Sequence, residues 1–337
     1  MQMTTAAYAS DTLPDETVDV AVIGGGAAGL NGALMLARSR RSVVVIDGGA
    51  PRNAPAAGVH GLLGREGVSP AELLRTGRAE VRGYGGLVVA GEVISAVPAT
   101  PSADGDLRFA VTLADGRTLR ARRLLVATGL RDALPEVPGL AEHWGHEVVH
   151  CPYCHGWEVR DEPIGVLAVG PASVHHALLF RQLTDDLVYF TNGTELGRDA
   201  RARFAARGIQ VVDTPVEAVE SAADGGIAGV RLNDGRLFAR RVLAVATGMQ
   251  ARTEGLGGLR LPTQDLPDGM GRSFASGMAG LTEVPGVWVA GNATDPFAQV
   301  GASAAAGALA GAHINAHLAT ADTDAALASA QRAAASA

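Results

Sequence analysis

The sequence predicts an α/β chain carrying two Rossmann-like nucleotide-binding domains. Its 337 residues suit two domains of ordinary size, each able to bury its own core. Residues 18–47 run in the order strand, glycine turn, helix, strand, acid. Strand-length apolar runs recur at 164–169 and 187–190, with a glycine turn after the first. Hydrophobic residues make up 47% and charged residues 19%, the balance of a soluble globular protein. The net charge of −7 argues against a nucleic-acid surface. No apolar run reaches membrane-spanning length.

The first element is the run at 18–23, followed at once by Gly24, Gly26 and Gly29. Leu30, Ala33, Leu34, Leu36 and Ala37 then recur at helical spacing. Gly24 permits a tight turn, Gly26 lets the backbone approach a pyrophosphate, and Gly29 lets the helix pack close to the strand. The helix N-terminus offers free N–H groups and a positive dipole end to phosphates. The next strand, 42–46, ends in Asp47, about 20 residues beyond the turn, where a carboxylate can hydrogen-bond a ribose 2′-OH. A plain glycine-rich turn is the alternative, and the two flanking strands and the acid in register weigh against it.

Two later segments bear on which dinucleotide is bound. Residues 124–129 form a strand ending in Ala-Thr-Gly (Thr128, Gly129). Residues 285–295 form a strand ending in Gly291, Asn292 and, three positions on, Asp295. Gln299 and Val300 then lead into an Ala/Gly helix reaching about residue 317. With these motifs in this order, the chain resembles the low-molecular-weight thioredoxin reductase family of flavoproteins from about residue 15 to 317.

The resemblance implies a fold in which a second nucleotide domain is inserted into an FAD-binding domain. It places the first part of the FAD domain at 15–133, the inserted NAD(P)H-binding-like domain at 134–247, and the second part of the FAD domain at 248–318. Residues 1–14 and 319–337 are expected to be flexible tails, the second a frayed helix or a disordered segment. It implies FAD as cofactor, with Gly24, Gly26, Gly29, Asp47, Thr128, Gly129, Gly291, Asn292, Asp295, Gln299 and Val300 as contacts. Arg52, Asn53 and His60 fall where the family lines the flavin ring, although a loop-structure role suits Arg52 and Asn53 equally well. A homodimer is also implied. The Ala/Gly helix could pack on FAD or on a second subunit.

The inserted domain departs from the family pattern. After the strand at 164–169 comes Gly170-Pro171-Ala172, where only the first glycine of the fingerprint survives. Ala172 stands where a glycine would admit a pyrophosphate, and Pro171 removes an N–H donor. The strand at 187–190 leads into residues 191–194, where NADPH-dependent relatives carry an arginine cluster for the 2′-phosphate. Here no cation precedes Arg198. The expectation is a preserved domain whose nucleotide site is lost or altered.

Cys151 and Cys154, the only cysteines, form a C-x-x-C pair. Two cysteines are too few for a disulfide framework, and the pair reads as redox chemistry. Half of a zinc site is the alternative, but no second cysteine pair exists to complete it. By resemblance the pair begins a helix, Cys154 faces the flavin and Cys151 exchanges with substrate. His155 stands where NADPH-linked relatives usually carry an aspartate, and an imidazole can take and return a thiol proton. His150 is a second candidate for that base, whereas His175 and His176 read as ordinary helix residues.

The run Cys-Pro-Tyr-Cys-His-Gly-Trp-Glu resembles more closely the subgroup of FAD-dependent dithiol oxidases that act in gliotoxin, holomycin and romidepsin biosynthesis. That resemblance implies oxidation of a small-molecule dithiol, with O₂ as acceptor and H₂O₂ as product. The alternative is a disulfide or thioredoxin reductase driven by NAD(P)H or ferredoxin. Residues 1–17 are polar and acidic without a signal-like core, so the expected compartment is the cytoplasm, with no nucleic-acid or membrane partner and no metal.

Overall fold

The computed structural model describes residues 10–101 and 105–336. The chain begins with β1 (Val18–Ile23), α1 (Ala27–Arg38), β2 (Val43–Asp47), α2 (Pro70–Gly83), β3 (Leu87–Ala90), β4 (Val93–Ala99), β5 (Arg108–Leu113) and β6 (Thr118–Val126). It crosses through β7 (Leu130–Ala133) into a second α/β unit. That unit holds β8 (Val148–Val149), the short helix α3 (Pro152–His155), β9 (Ile164–Leu167), α4 (Ala172–Phe180), β10 (Leu187–Phe190), α5 (Arg198–Ala206), β11 (Gln210–Val212), β12 (Val216–Ser221), β13 (Ile227–Leu232), β14 (Leu237–Ala239) and β15 (Val242–Val245). The chain returns through β16 (Gly248–Ala251) to β17 (Thr263–Asp265), β18 (Gly271–Phe274), β19 (Val287–Val289) and the long helix α6 (Val300–Ala335).

The first sheet has the order β3-β2-β1-β6-β5-β4, and β19 lies beside the C-terminal half of β6. Its parallel strands are nearly continuous Val, Ile and Leu runs because both of their faces are covered. The register pairs Ile23 with Ile46 and with Val126, and Val126 with Val289. Four strands therefore end in line, and Gly24, Asp47, Ala127 and Ala290 all leave the sheet at one edge. Ligands of open α/β sheets bind at such an edge.

The second sheet, β11-β10-β9-β15-β8, is parallel throughout and carries its own core around Phe180, Tyr189 and Phe204. The two unit crossings are joined to each other: β7 pairs antiparallel with β16, from Leu130 opposite Ala251 to Ala133 opposite Gly248.

Helix α6 packs on α1 through a glycine seam, with Asn31 Nδ2 donating to the Ala304 carbonyl at 2.8 Å across it. A Cβ on Gly307 would sit 1.9 Å from the Ala28 carbonyl oxygen, and one on Gly311 would sit 2.6 Å from that of Gly32. The Ala/Gly composition of α6 thus serves α1, a partner not foreseen from the sequence.

The C-terminal stretch is ordered helix. Residues 319–335 continue α6, because Asp322 pairs with Arg41 (2.6 Å) and Arg122 (2.5 Å) from distant parts of the first sheet. At the other end, Asp11 pairs with Arg82 (2.8 Å) and accepts the Val88 N–H. Residues 1–9 lie outside the described residues. Among the described residues no helix is long and apolar enough to cross a membrane.

The seam yields a test. Gly307→Ala drives a methyl into the Ala28 carbonyl and should cost about 3 kcal/mol, read from denaturant midpoints. Gly83→Ala, with no atom within 4 Å of the new methyl, should leave the midpoint unchanged or raise it.

Candidate active site

A single cavity of about 1090 Å³ runs from the first glycine turn to the cysteine pair and on to α4. Its walls include Gly24, Gly26, Asp47, Arg52, Asn53, His60, Thr128 and Gly129 from the first part of the chain. Cys151, Cys154 and His155 enter from the second unit, and Gly291, Asn292, Gln299 and Val300 from the last part. Of the residues singled out in the sequence, Gly29 and Asp295 do not line it.

The glycine turn fits a dinucleotide pyrophosphate. Gly24 adopts φ +109°, and a side chain there would strike the Ala127 carbonyl at 2.3 Å. Gly29 abuts the Gly24 carbonyl, where a Cβ would sit at 1.9 Å, so it sets helix-to-strand packing. Around Gly26 no atom lies within 4 Å of a would-be Cβ, so the backbone is bare toward the cavity. The N-termini of α1 and α6 both meet this space, adding two positive dipole ends. Asp47 closes β2 at the cavity wall and pairs with Arg78 at 3.1 Å.

The other expected contacts also do structural work. Asn292 Nδ2 donates to the carbonyls of Asp295 (3.0 Å) and Ala298 (2.8 Å), pinning the loop ahead of α6. Asp295 is exposed, and its Oδ1 accepts the Phe297 N–H. Thr128 Oγ1 donates to the Arg252 carbonyl at 2.9 Å, tying the end of β6 to the residue after β16. His60 Nδ1 lies 2.6 Å from Glu66, and its Nε2 lies 3.5 Å from Glu158 of the second unit.

Arg52 lines the cavity and holds the loop. Its guanidinium grips Asp132 with Nε at 2.7 Å and Nη2 at 2.6 Å, and Nη1 reaches the Pro296 carbonyl. Asp132 is buried on β7 and also accepts from Thr247 Oγ1 at 2.6 Å, just ahead of β16. Burial pushes the Asp132 carboxyl up, but the Arg52 hydrogen bonds and charge, with Thr247, hold it below the usual range. His150 sits on the far side of Thr247, with Nδ1 3.2 Å from the Thr247 N–H and 3.1 Å from the Val245 carbonyl.

Cys151 and Cys154 are joined in a disulfide, with Cα atoms 5.2 Å apart. Cys151 caps α3, its Sγ accepting the Cys154 N–H at 3.1 Å, and Pro152 supplies the fixed φ suited to the first helical position. Gly156 follows because a Cβ there would lie 2.1 Å from the Pro152 carbonyl and 2.4 Å from Leu183.

Three imidazoles surround the pair. Burial lowers the pKa of His155, against the opposing charge of Glu158, and neither ring nitrogen has a partner. Burial likewise lowers His150, and brings His176 down to about 4. His176 Nε2 bonds the His150 carbonyl at 2.5 Å. A carbonyl only accepts, so Nε2 carries the proton, and the neutral ring presents Nδ1 as an unpartnered acceptor. His175 and His176 are helix residues, and both also line the cavity. Among the described residues no group of three or more His, Cys, Asp or Glu is placed to hold a metal.

The second glycine turn is closed upon itself. Ser173 Oγ accepts the Val169 N–H at 3.0 Å, Ser173 N–H bonds the Gly170 carbonyl, and Val174 N–H bonds that of Pro171. Pro171 has no N–H. With the Val169, Ser173 and Val174 N–H groups paired and none on Pro171, fewer donors face a pyrophosphate than at the first turn. Beyond β10, Asn192 Oδ1 accepts the Val216 N–H, and Arg201 is paired with Asp213 at 2.6 Å. Arg198 is exposed at the start of α5.

Sequence reasoning missed Asp132, Thr247 and Arg252, and gave Glu158, the last residue of the Cys-Pro-Tyr-Cys-His-Gly-Trp-Glu run, no role. Arg252 lines the cavity with a buried Nε that has no partner, a state visible only once β16 is placed.

The pyridine nucleotide-disulphide oxidoreductase family profile matches residues 18–319. Thioredoxin reductase tcpT of Claviceps purpurea (strain 20.1) is 34% identical over 249 residues, covering 72% of this chain and 77% of that protein. Thioredoxin reductase sirT of Leptosphaeria maculans is 33% identical over 232 residues, covering 64% and 70%. Among solved structures, the crystal structure of HlmI superposes with a TM-score of 0.88 at 44% identity, covering 96% of this chain and 99% of that one.

Proposed function

The chain belongs to the pyridine nucleotide-disulphide oxidoreductase family as an FAD-dependent thiol:disulfide oxidoreductase, and from that premise we propose that it works as a dithiol oxidase. In this reading a small-molecule dithiol leaves as a disulfide and its two electrons reach O₂, giving H₂O₂. One observation carries the reading. The same cavity joins the dinucleotide cradle to the disulfide, while at the second glycine turn Pro171 has no N–H and the Val169, Ser173 and Val174 N–H groups bond within the turn. The likeness of the Cys-Pro-Tyr-Cys-His run to the dithiol oxidases supports the same direction of electron flow.

Gly24, Gly26, Asp47 and the N-termini of α1 and α6 would hold FAD at the strand ends. FAD, when bound, supplies a two-electron acceptor that can be reoxidised by O₂. One substrate thiolate attacks the Cys151 sulfur, forming a substrate–Cys151 mixed disulfide and releasing Cys154 as a thiolate. The second substrate thiolate attacks the substrate's own sulfur in that bond, closing the product disulfide and releasing Cys151. Two electrons now reside on the Cys151–Cys154 dithiol. His155, neutral because it is buried and free at both nitrogens, takes one proton from the attacking substrate thiol and returns it to the Cys154 thiolate that the exchange releases. His150, committed to the Thr247 and Val245 backbone, orients the strand leading into Cys151.

Purified holoprotein given dithiothreitol in air should consume O₂ and release one H₂O₂ per disulfide formed. Absence of dithiol-dependent O₂ uptake, with rapid turnover of NADPH against a disulfide, would establish the reductase instead.

The base has its own signature. Because burial holds His155 below the ordinary value of 6.5, it stays in its basic form at pH 7, and kcat/KM should fall only as pH drops through that lowered value. His155→Asn should reduce kcat/KM about 100-fold and erase this acid limb. Persistence of the limb in the variant would assign it to another group.

A further inference from the structure

The dinucleotide cradle is short of positive charge. An FAD pyrophosphate brings about two negative charges, against which the N-termini of α1 and α6 set roughly one positive charge between them. Residues 24–28 and 291–303, which build the cradle, contain no arginine, and the chain has no lysine. On the cavity wall Arg52 is committed to Asp132, and the Asp47 carboxylate is matched by Arg78. Arg252 is the other arginine of that wall, and among the described residues no carboxylate pairs with it. Glu254, two positions on, is held by Arg131.

We infer that Arg252 supplies the missing cation and holds the pyrophosphate of FAD. Its Nε is buried, but its two terminal nitrogens are not enclosed and bond no protein atom among the described residues. Burial and the charge of Arg131 lower its pKa, against the pull of Glu254, yet a guanidinium stays protonated. The Arg252 backbone is tied to the cradle from both sides. Its N–H bonds the Gly129 carbonyl at 3.0 Å, and its carbonyl accepts from Thr128 Oγ1 at 2.9 Å. Thr128 Cα in turn lies 3.2 Å from where a Cβ on Gly24 would sit. The redox pair is at the other end of the strand. Thr247, which meets His150, precedes Arg252 by five residues, about 16 Å at strand rise. The placement therefore serves the cofactor and not a substrate at Cys151. The fork of an arginine suits phosphate oxygens, and a half-buried cation without a partner costs stability until an anion arrives. The inference rests on FAD as the cofactor and is independent of the direction of electron flow.

Titration of FAD into flavin-stripped, full-length protein tests this, with Kd read by calorimetry and folding by far-UV circular dichroism. Arg252→Gln should raise the Kd of FAD at least about tenfold, the worth of one charge-assisted hydrogen bond. Arg252→Lys keeps the charge without the fork and should fall between the two. Raising salt from about 0.05 to about 0.5 M should weaken FAD binding by wild-type protein more than by Arg252→Gln. Thermal unfolding separates this role from a structural one. Without FAD, Arg252→Gln should melt at or above the wild-type temperature, because an unpaired cation is gone, and its gain on adding FAD should be smaller. Folded Arg252→Gln with the wild-type Kd and salt dependence would overturn the inference. So would Arg252→Lys binding FAD as weakly as Arg252→Gln, which would assign the side chain a role in shape and not in charge. Equal falls in melting temperature with and without FAD would make Arg252 merely structural. Should Arg252→Gln fail to fold, the wild-type protein decides, since a Kd for FAD that ignores salt would also overturn the inference.

Discussion

A disulfide can deliver electrons to a cofactor only if both are held against the same space, and here a buried carboxylate does the holding. Asp132 lies on the strand by which the chain leaves its first sheet. It is gripped by Arg52 from the first sheet's loops and by Thr247 just before the returning strand. Thr247 in turn meets His150, the residue ahead of Cys151. An ion pair at this depth contributes little net stability, since burying the charges offsets most of their attraction. What it fixes is geometry, because removing either partner would leave an uncompensated buried charge. The cradle at the strand ends and the cysteine pair are thereby coupled through one hydrogen-bonded chain.

The second glycine turn shows the complementary economy. Its fold persists, since β9 and α4 supply a core that the second unit needs. Its turn differs from the first by short-range means: a proline without an N–H, a methyl in place of a hydrogen, and a serine hydroxyl turned back onto the Val169 amide. One side of α4, with Ala172, His175, His176 and Leu179, lines the cavity, and His176 bonds the carbonyl of His150, the residue before Cys151.

Much of this was legible in the sequence where the chemistry is local. The turn at Gly24, Gly26 and Gly29, the acid at Asp47, and the cysteine pair with His155 each occupy a short stretch whose spacing carries its meaning. The line of strand ends followed from the order of the motifs. What was not legible depends on partners far apart along the chain. Arg52 and Asp132 are separated by 80 positions, and Asp132 and Thr247 by 115. The second half of α6 looked like a tail because it is rich in Ala, Ser and Thr. Its order comes from Asp322 meeting Arg122, 200 positions earlier. His175 and His176 carried the spacing of a helix face, but only the placement of α4 against α3 shows which way that face looks.

The direction of electron flow is the central claim, and anaerobic flavin absorbance tests it most directly. With oxygen removed, a stoichiometric small dithiol should bleach the visible flavin band of the wild-type protein. Cys151→Ser should block that bleaching, and NADPH at the same concentration should leave the band intact. Rapid bleaching by NADPH, with dithiols without effect, would contradict the account.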